Sequence, residues 1–121
     1  MTIQECYAAM GSDYEEVLGR LRSPRIIQKF ILKFLDDGSY RQLEESLAAE
    51  NYPEAFRAAH TIKGVCQNLN LSRLGASSAA LADALRSGQW NDAAAPLVAQ
   101  VREDYQITAA AIRAFREANP G

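Results

Sequence analysis

The chain is predicted to be all-α, an antiparallel four-helix bundle preceded by short N-terminal lead-in helices. Three observations carry this. Ala, Leu, Glu, Arg and Gln recur at helical spacings along the whole sequence. No segment alternates β-branched and polar residues as a half-buried strand would. With 121 residues, 48% of them hydrophobic, the chain can fill one core and not two. A single domain over residues 1–121 is expected, with lead-in helices over 1–22 and the bundle over 23–118.

The elements follow in order from local chemistry. In "TIQECYAAM", Ile3, Tyr7 and Met10 fall on one side of a short helix that Gly11 ends. "SDYEEVLGRL" opens with Ser12 and Glu15 at capping-box spacing, and Tyr14, Val17, Leu18 and Leu21 form its apolar stripe. Ser23 followed by Pro24 is a helix start, since proline in the first turn sacrifices no needed hydrogen bond. Ile27, Phe30, Ile31, Phe34 and Leu35 make the strong stripe behind it. Gly38 and Ser39 then interrupt, and Ser39 with Gln42 has the spacing to cap a new helix carrying Leu43 and Leu47. Either one long helix bends here or two helices meet; the spacing is compatible with both.

Tyr52 and Pro53 punctuate again, and residues 53–69 read as a helix that Asn70 stops. Ser72 is the next expected N-cap, with Leu74, Leu81 and Leu85 on one face before Gly88. From about Asn91 to Ala118, Leu97, Val98, Val101, Tyr105, Thr108, Ile112 and Phe115 recur in near-heptad order. Pro96 leaves two starts open for this last helix, one at Asn91 and one at the proline with "NDAAA" as a separate turn. Four long amphipathic segments with short connections pack most simply as an antiparallel bundle.

Charge and composition exclude several function classes. A net charge of −2 without a Lys/Arg run gives a phosphate backbone little to bind, so nucleic acid is not an expected partner. No apolar run approaches the roughly 20 residues that cross a bilayer, and the N-terminus lacks a signal-peptide pattern. No membrane partner is expected, and a cytoplasmic location is. Cys6 and Cys66 form neither a CxxC pair nor a disulfide framework, which suits a reducing compartment and two small core residues.

One stretch departs from ordinary helix composition: "AHTIKGVCQNL", residues 59–69, holds the only histidine, with Lys63 and Gly64 three and four positions on. Advancing about 100° per residue puts Ala55, Ala58, Ile62, Val65, Cys66 and Leu69 on the side opposite His60, which therefore faces out. Gly64 and Gln67 lie within about 40° of His60, and Arg57 and Lys63 about 60° to either side. Phe56 shares the outward face. An interior helical glycine costs roughly 1 kcal/mol relative to alanine, and the core does not ask for this one. A bare backbone one turn from an imidazole lets another protein approach the ring closely.

The chemistry that fits is phosphoryl transfer. Free imidazole titrates near pH 6.5, so about three quarters of it is neutral and nucleophilic at pH 7 without a dedicated base. An incoming phosphoryl carries nearly two negative charges, which Lys63, and Arg57 from the other edge, are placed to meet. Each such pairing is worth about 1 kcal/mol at 4 Å under water-like screening, enough to position a phosphoryl group and not to lock it.

These residues also resemble the signature of histidine-containing phosphotransfer (HPt) domains, roughly Ala-His-x-Leu/Ile-Lys-Gly followed by small residues and Asn-Leu-Gly. The matching positions are Ala59, His60, Ile62, Lys63, Gly64, Asn68 and Leu69. The flanking text from about Ser12 to Tyr105 is similar to the family as well. The resemblance implies a four-helix bundle whose exposed histidine accepts a phosphoryl group from a receiver-domain aspartate and passes it to another receiver, in a multistep phosphorelay. It implies His60 phosphorylated at Nε2, Lys63 positioning the phosphoryl and Gly64 giving access. Phe56, Arg57 and Gln67 are candidate partner contacts. No cofactor or metal ligand is implied on this chain, since the partner receiver supplies the acidic pocket and Mg²⁺. Upstream, the family favours one bent helix over Pro24–Glu50.

Two positions depart from the family pattern: Asn70 stands where glycine is usual, and Cys66 where a smaller residue is. Asn tolerates the left-handed conformation at a helix end. An enzyme with its own turnover lacks its parts, because no glycine-rich phosphate loop, HExxH spacing or second histidine is present. The competing class is a helical adaptor that binds a receiver or kinase without phosphotransfer. A monomeric, stand-alone protein starting at Met1 is expected.

Overall fold

The structure is a computed structural model that describes residues 1–120. Its elements, all helical, are α1 (Ile3–Ala9), α2 (Tyr14–Leu21), α3 (Pro24–Phe34), α4 (Ser39–Ala48), α5 (Tyr52–Leu69), α6 (Ser72–Ala84) and α7 (Ala94–Ala118). Helix α5 packs between α4 and α6, and α6 packs in turn on α7. Helices α3 and α4 form one side of the bundle in two pieces, while α1 lies on α7 and α2 on α3.

The helix starts confirm some sequence expectations and correct others. Thr2 and Glu5 form a capping box for α1. Ser12 does not cap α2; Asp13 does, accepting from the Glu15 N–H at 2.9 Å, while the Ser12 hydroxyl accepts from the Ser72 N–H and so ties the α1–α2 turn to the start of α6. Ser23 caps α3 as expected, with proline in the first turn. Helix α4 has Gly38 at its N-cap with Ser39 already inside, and α6 has Leu71 at its N-cap with Ser72 inside. Helix α7 begins at Ala94, after a turn made by Asp92 and Ala93, so Pro96 lies in its first turn, where its missing N–H has no carbonyl to seek.

Between Pro24 and Glu50 there are two helices, not one bent helix. The backbone tightens to i→i−3 hydrogen bonds at Leu35, Asp36 and Asp37, and the Asp37 carboxylate accepts the Ser39 N–H at 2.8 Å. Asp-Asp-Gly-Ser is a run of residues that favour local side-chain hydrogen bonds or pay backbone entropy in a helix, and here local chemistry prevails over the apolar stripe. Phe30 stands in the stripe expected to be core and is 40% exposed, a correction to that stripe, of which Ile27, Ile31 and Phe34 are buried.

The rest of the core follows the predicted stripes. Ile27, Ile31, Leu43, Leu74, Leu81, Leu85, Val101 and Ile112 are sealed from water. Aromatic contacts tie the broken side of the bundle to α7: Tyr40 stacks on Tyr105 with ring centres 3.7 Å apart and 4° between planes, and Phe34 meets the same ring at 6.0 Å. Beside them Glu44 accepts from Arg102 through both carboxylate oxygens and from the Tyr40 hydroxyl at 2.8 Å.

Those Arg102 hydrogen bonds hold the Glu44 carboxyl below the usual carboxylate range, partly opposed by burial. A lowered folded-state value stabilises the fold above the unfolded carboxylate's titration, near pH 4.3, and the contribution disappears as pH falls through the lower folded value. Both partners are partly exposed, so the effect is expected to stay below about 1 kcal/mol. Chemical unfolding from pH 7 down to pH 3 checks it: the gap between wild type and Glu44→Gln should close over that acid range.

Burial pushes the Cys6 thiol up to about 11 and the Cys66 thiol up to about 12. Both are free, and Cys6 donates weakly to the Ala111 carbonyl at 3.5 Å. At pH 8 native alkylation is therefore expected to run about 100-fold or more slower than in unfolded chain, because only the thiolate reacts. Mass spectrometry after iodoacetamide treatment, with and without urea, measures this. Equal rates would show that the core opens readily.

Candidate functional site

Helix α5 carries the site, and the molecule fastens both of its ends. At the start, the Asn51 side chain accepts the Glu54 N–H at 3.3 Å, with Pro53 and Glu54 in the first turn. At the finish Asn70 adopts φ 55°, ψ 40°, and the Leu71 N–H reaches back to the Cys66 carbonyl at 2.9 Å. Asn thus fills the left-handed position where glycine is usual. The last turn has no basic residue of its own, and Arg20 of α2 supplies one, donating to the Gln67 carbonyl at 2.9 Å and to that of Asn68. The Tyr7 hydroxyl donates to the Leu69 carbonyl at 2.9 Å, so both lead-in helices brace the end of α5.

Packing then decides which face of α5 meets water. Ala55, Ala58, Ala59, Ile62, Cys66 and Leu69 are buried, and His60, Thr61, Gln67 and Asn68 are exposed. Lys63, Gly64, Val65 and Phe56 are intermediate. Cys66, the larger residue at a position usually taken by a smaller one, is accommodated by α6. A Cβ added to Gly75 would lie 3.2 Å from the Cys66 Cβ, so glycine there lets the two helices approach.

Gly64 is a different kind of glycine. Its backbone is ordinary helix, and an added Cβ would meet nothing within 4 Å. Neither conformation nor internal packing requires it. Its bareness serves no contact within the chain.

Around His60 the side chains divide by what holds them. Among the described residues, neither the imidazole nor the Lys63 ammonium has a hydrogen-bond or ion-pair partner, so both are available to a ligand. Arg57 is not: its guanidinium pairs with Glu54, one turn further from His60. Phe56 lies with its ring centre 6.0 Å from that of His60 and 30° between planes. Over Phe56 sits Arg86, in the turn just past the C-cap of α6, its guanidinium carbon 5.8 Å from the ring centre. Gln67 is exposed two turns along from His60.

The structure therefore brings His60, Lys63, Gly64 and Phe56 together on one face and turns Arg57 aside. Arg86 escaped sequence reasoning because only the register between α5 and α6 places it. A second feature was legible and missed: from Val17 to Leu35 the chain carries Arg20, Arg22, Arg25, Lys29 and Lys33 and no acidic residue. Arg25, Lys29 and Lys33 lie on α3 with Ile26 and Phe30, which are 41% and 40% exposed. Phe30 and Lys33 border a cleft of about 450 Å³ whose walls also include Arg20, Asp37 and, from α5, Val65, Asn68 and Leu69.

The Hpt domain family matches residues 34–113, well over half of the chain. The chain belongs to that family. The Hpt bundle is helical, every regular element among the described residues of this chain is a helix, and the match begins at the end of α3 and includes all of α5 and α6. Hpt domains are phosphocarrier modules of phosphorelay signalling, not kinases, and their partners are receiver domains. Searches of curated proteins and of solved structures find no match. Among the described residues of this Hpt domain, no helix is long and apolar enough to cross a membrane.

Proposed function

We propose that this Hpt domain is a phosphoryl carrier that accepts on His60 a phosphoryl group from a receiver aspartate and delivers it to a second receiver. The observation that carries the reading is Gly64, a glycine without internal purpose one turn from an exposed, unpartnered imidazole. In the forward step, neutral Nε2 attacks phosphorus as the bond to the aspartyl oxygen breaks. The carboxylate leaves with the electron pair, and the imidazole sheds its surplus proton to solvent. The return step reverses these bonds on another receiver.

Lys63 sits at i+3 and meets the phosphoryl oxygens as a point charge, while Gly64 lets the receiver backbone close over the ring. The receiver contributes the acidic pocket and Mg²⁺. The exposed apolar and basic surface from Asn68 to Phe30 and Lys33 extends the footprint available to an acidic partner. In this reading the domain acts as a monomer in the cytoplasm, without nucleic acid, where both cysteines stay reduced.

The test is to incubate the purified chain with a panel of phosphorylated receivers from its own organism and assay for acid-labile, base-stable label. Label on the chain supports the carrier reading. Binding to receivers without any label would replace it with a helical adaptor that docks and does not transfer.

A further inference from the structure

Along α2 and α3 the charge of the chain is lopsided. Residues 17–35 hold five of its 13 cations, Arg20, Arg22, Arg25, Lys29 and Lys33, and none of its 15 acids, although the net charge is −2. All five are exposed, and among the described residues none of them forms an ion pair. A positive field left unbalanced within the chain favours an acidic partner.

The same surface is apolar where a partner would seat. Ile26 and Phe30 are large, exposed and one turn apart on α3. Beside Phe30 opens the cleft of about 450 Å³, walled by Leu21, Phe34, Val65 and Leu69. Asp37, the one carboxylate in its walls, is committed to the Ser39 N–H. Advancing about 100° per residue around α3, the order from the buried side outward is Phe34, Phe30, Ile26, Lys33, Lys29 and Arg25. An apolar ridge is thus edged by a row of cations. Its complement is an amphipathic helix with an apolar stripe flanked by carboxylates. Every regular element among the described residues is a helix, so no sheet edge invites an extended peptide, and side chains one turn apart fit a helical stripe of the same period.

This surface is turned away from the imidazole. On α5, Val65, Asn68 and Leu69 stand about 140°, 80° and 180° around the axis from His60 and roughly 8 to 14 Å further along it. Lys63 and Phe56 turn the other way. A helix seated in the cleft therefore leaves His60 open. Most of the surface, from Arg20 to Lys33, also precedes residue 34, where the Hpt match begins.

We propose that the cleft and the cationic ridge of α3 form a second docking site, which takes an acidic amphipathic helix of a partner protein while His60 stays free for a receiver. The site goes beyond the carrier reading and does not depend on it.

The probe is a synthetic helix of about 20 residues, with leucine at i, i+3, i+4 and i+7 and glutamate on the remaining positions, titrated into the full chain by fluorescence anisotropy and amide NMR. Saturable binding is expected, with shifts centred on residues 20–34 and 65–69. The Lys29→Glu/Lys33→Glu variant should weaken it by about tenfold or more and Phe30→Ser by about tenfold, whereas His60→Gln and Gly64→Leu should leave it within about twofold. Lys29, Phe30 and Lys33 are exposed, so these substitutions leave the core intact.

Shifts centred on His60 and Gly64, with binding lost in Gly64→Leu, would make the surface part of the transfer face and overturn a separate site. Equal binding of a peptide of the same composition with its apolar stripe scrambled would reduce the attraction to charge and overturn it as well, as would a lack of saturation by about 1 mM peptide. Sedimentation with phosphatidylglycerol vesicles in place of peptide binding would assign the surface to lipid and overturn the protein partner. None of these outcomes bears on transfer to His60, so failure of the docking site and failure of the carrier reading are told apart.

Discussion

Replacing His60 by glutamine is expected to reduce acid-labile label on the domain to background while leaving its unfolding free energy within about 0.5 kcal/mol of wild type. Glutamine matches histidine in reach and is a better helix former, and the site is exposed, so nothing in the core responds. What it lacks is a nucleophilic lone pair, since the amide nitrogen's electrons are delocalised into the carbonyl. The measurement pairs transfer from a phosphorylated receiver with urea unfolding of the same preparation. Label that persists on the variant would place the acceptor elsewhere and remove the basis for reading His60 as the carrier.

Gly64→Ala should separate stability from function in opposite directions. The added Cβ meets nothing within 4 Å, and alanine is the better helix former, so the fold should gain about 1 kcal/mol. Transfer should fall nonetheless, because the methyl group stands where the receiver's backbone must approach. A displacement near 1 Å of the reacting atoms costs on the order of 100-fold in rate. Single-turnover transfer with saturating receiver, compared with the melting temperature, reads both quantities. If Gly64→Ala and the bulkier Gly64→Leu transferred at wild-type rate, the open space above Gly64 would have no part in docking.

Direct phosphorylation of the imidazole by phosphoramidate is independent of receiver docking, and transfer from a receiver is not. A defect in Gly64→Ala with normal labelling by phosphoramidate would locate the loss in the approach of the partner. A defect in both would point to the imidazole itself.

The all-helical class, the outward direction of His60 and the burial of Ala55, Ile62, Cys66 and Leu69 were all legible in the sequence, because helical period alone sorts neighbours on one helix into an inner and an outer face. Gly64 could be singled out on the same ground. The ambiguity at Gly38 was resolved only by the three-dimensional structure, where Asp37 takes the Ser39 N–H and the helix divides. The N-caps shifted by one residue at α2, α4 and α6 for a related reason: several small polar residues stand together there, and tertiary contacts such as that of Ser12 with Ser72 choose among them.

Relations between helices lay beyond any periodicity. The exposure of Phe30 depends on how α3 meets its neighbours, and the brace from Arg20 to the end of α5 joins residues 47 and 48 positions apart. Arg86 reaches Phe56 only because Gly75 lets α6 settle closely on Cys66 and fixes the register along the rest of the pair. The sequence determined which face of α5 would meet a partner, since that depends on spacing within one helix. What stands beside that face was decided by packing, since it depends on how neighbouring helices slide and tilt to fill a common core.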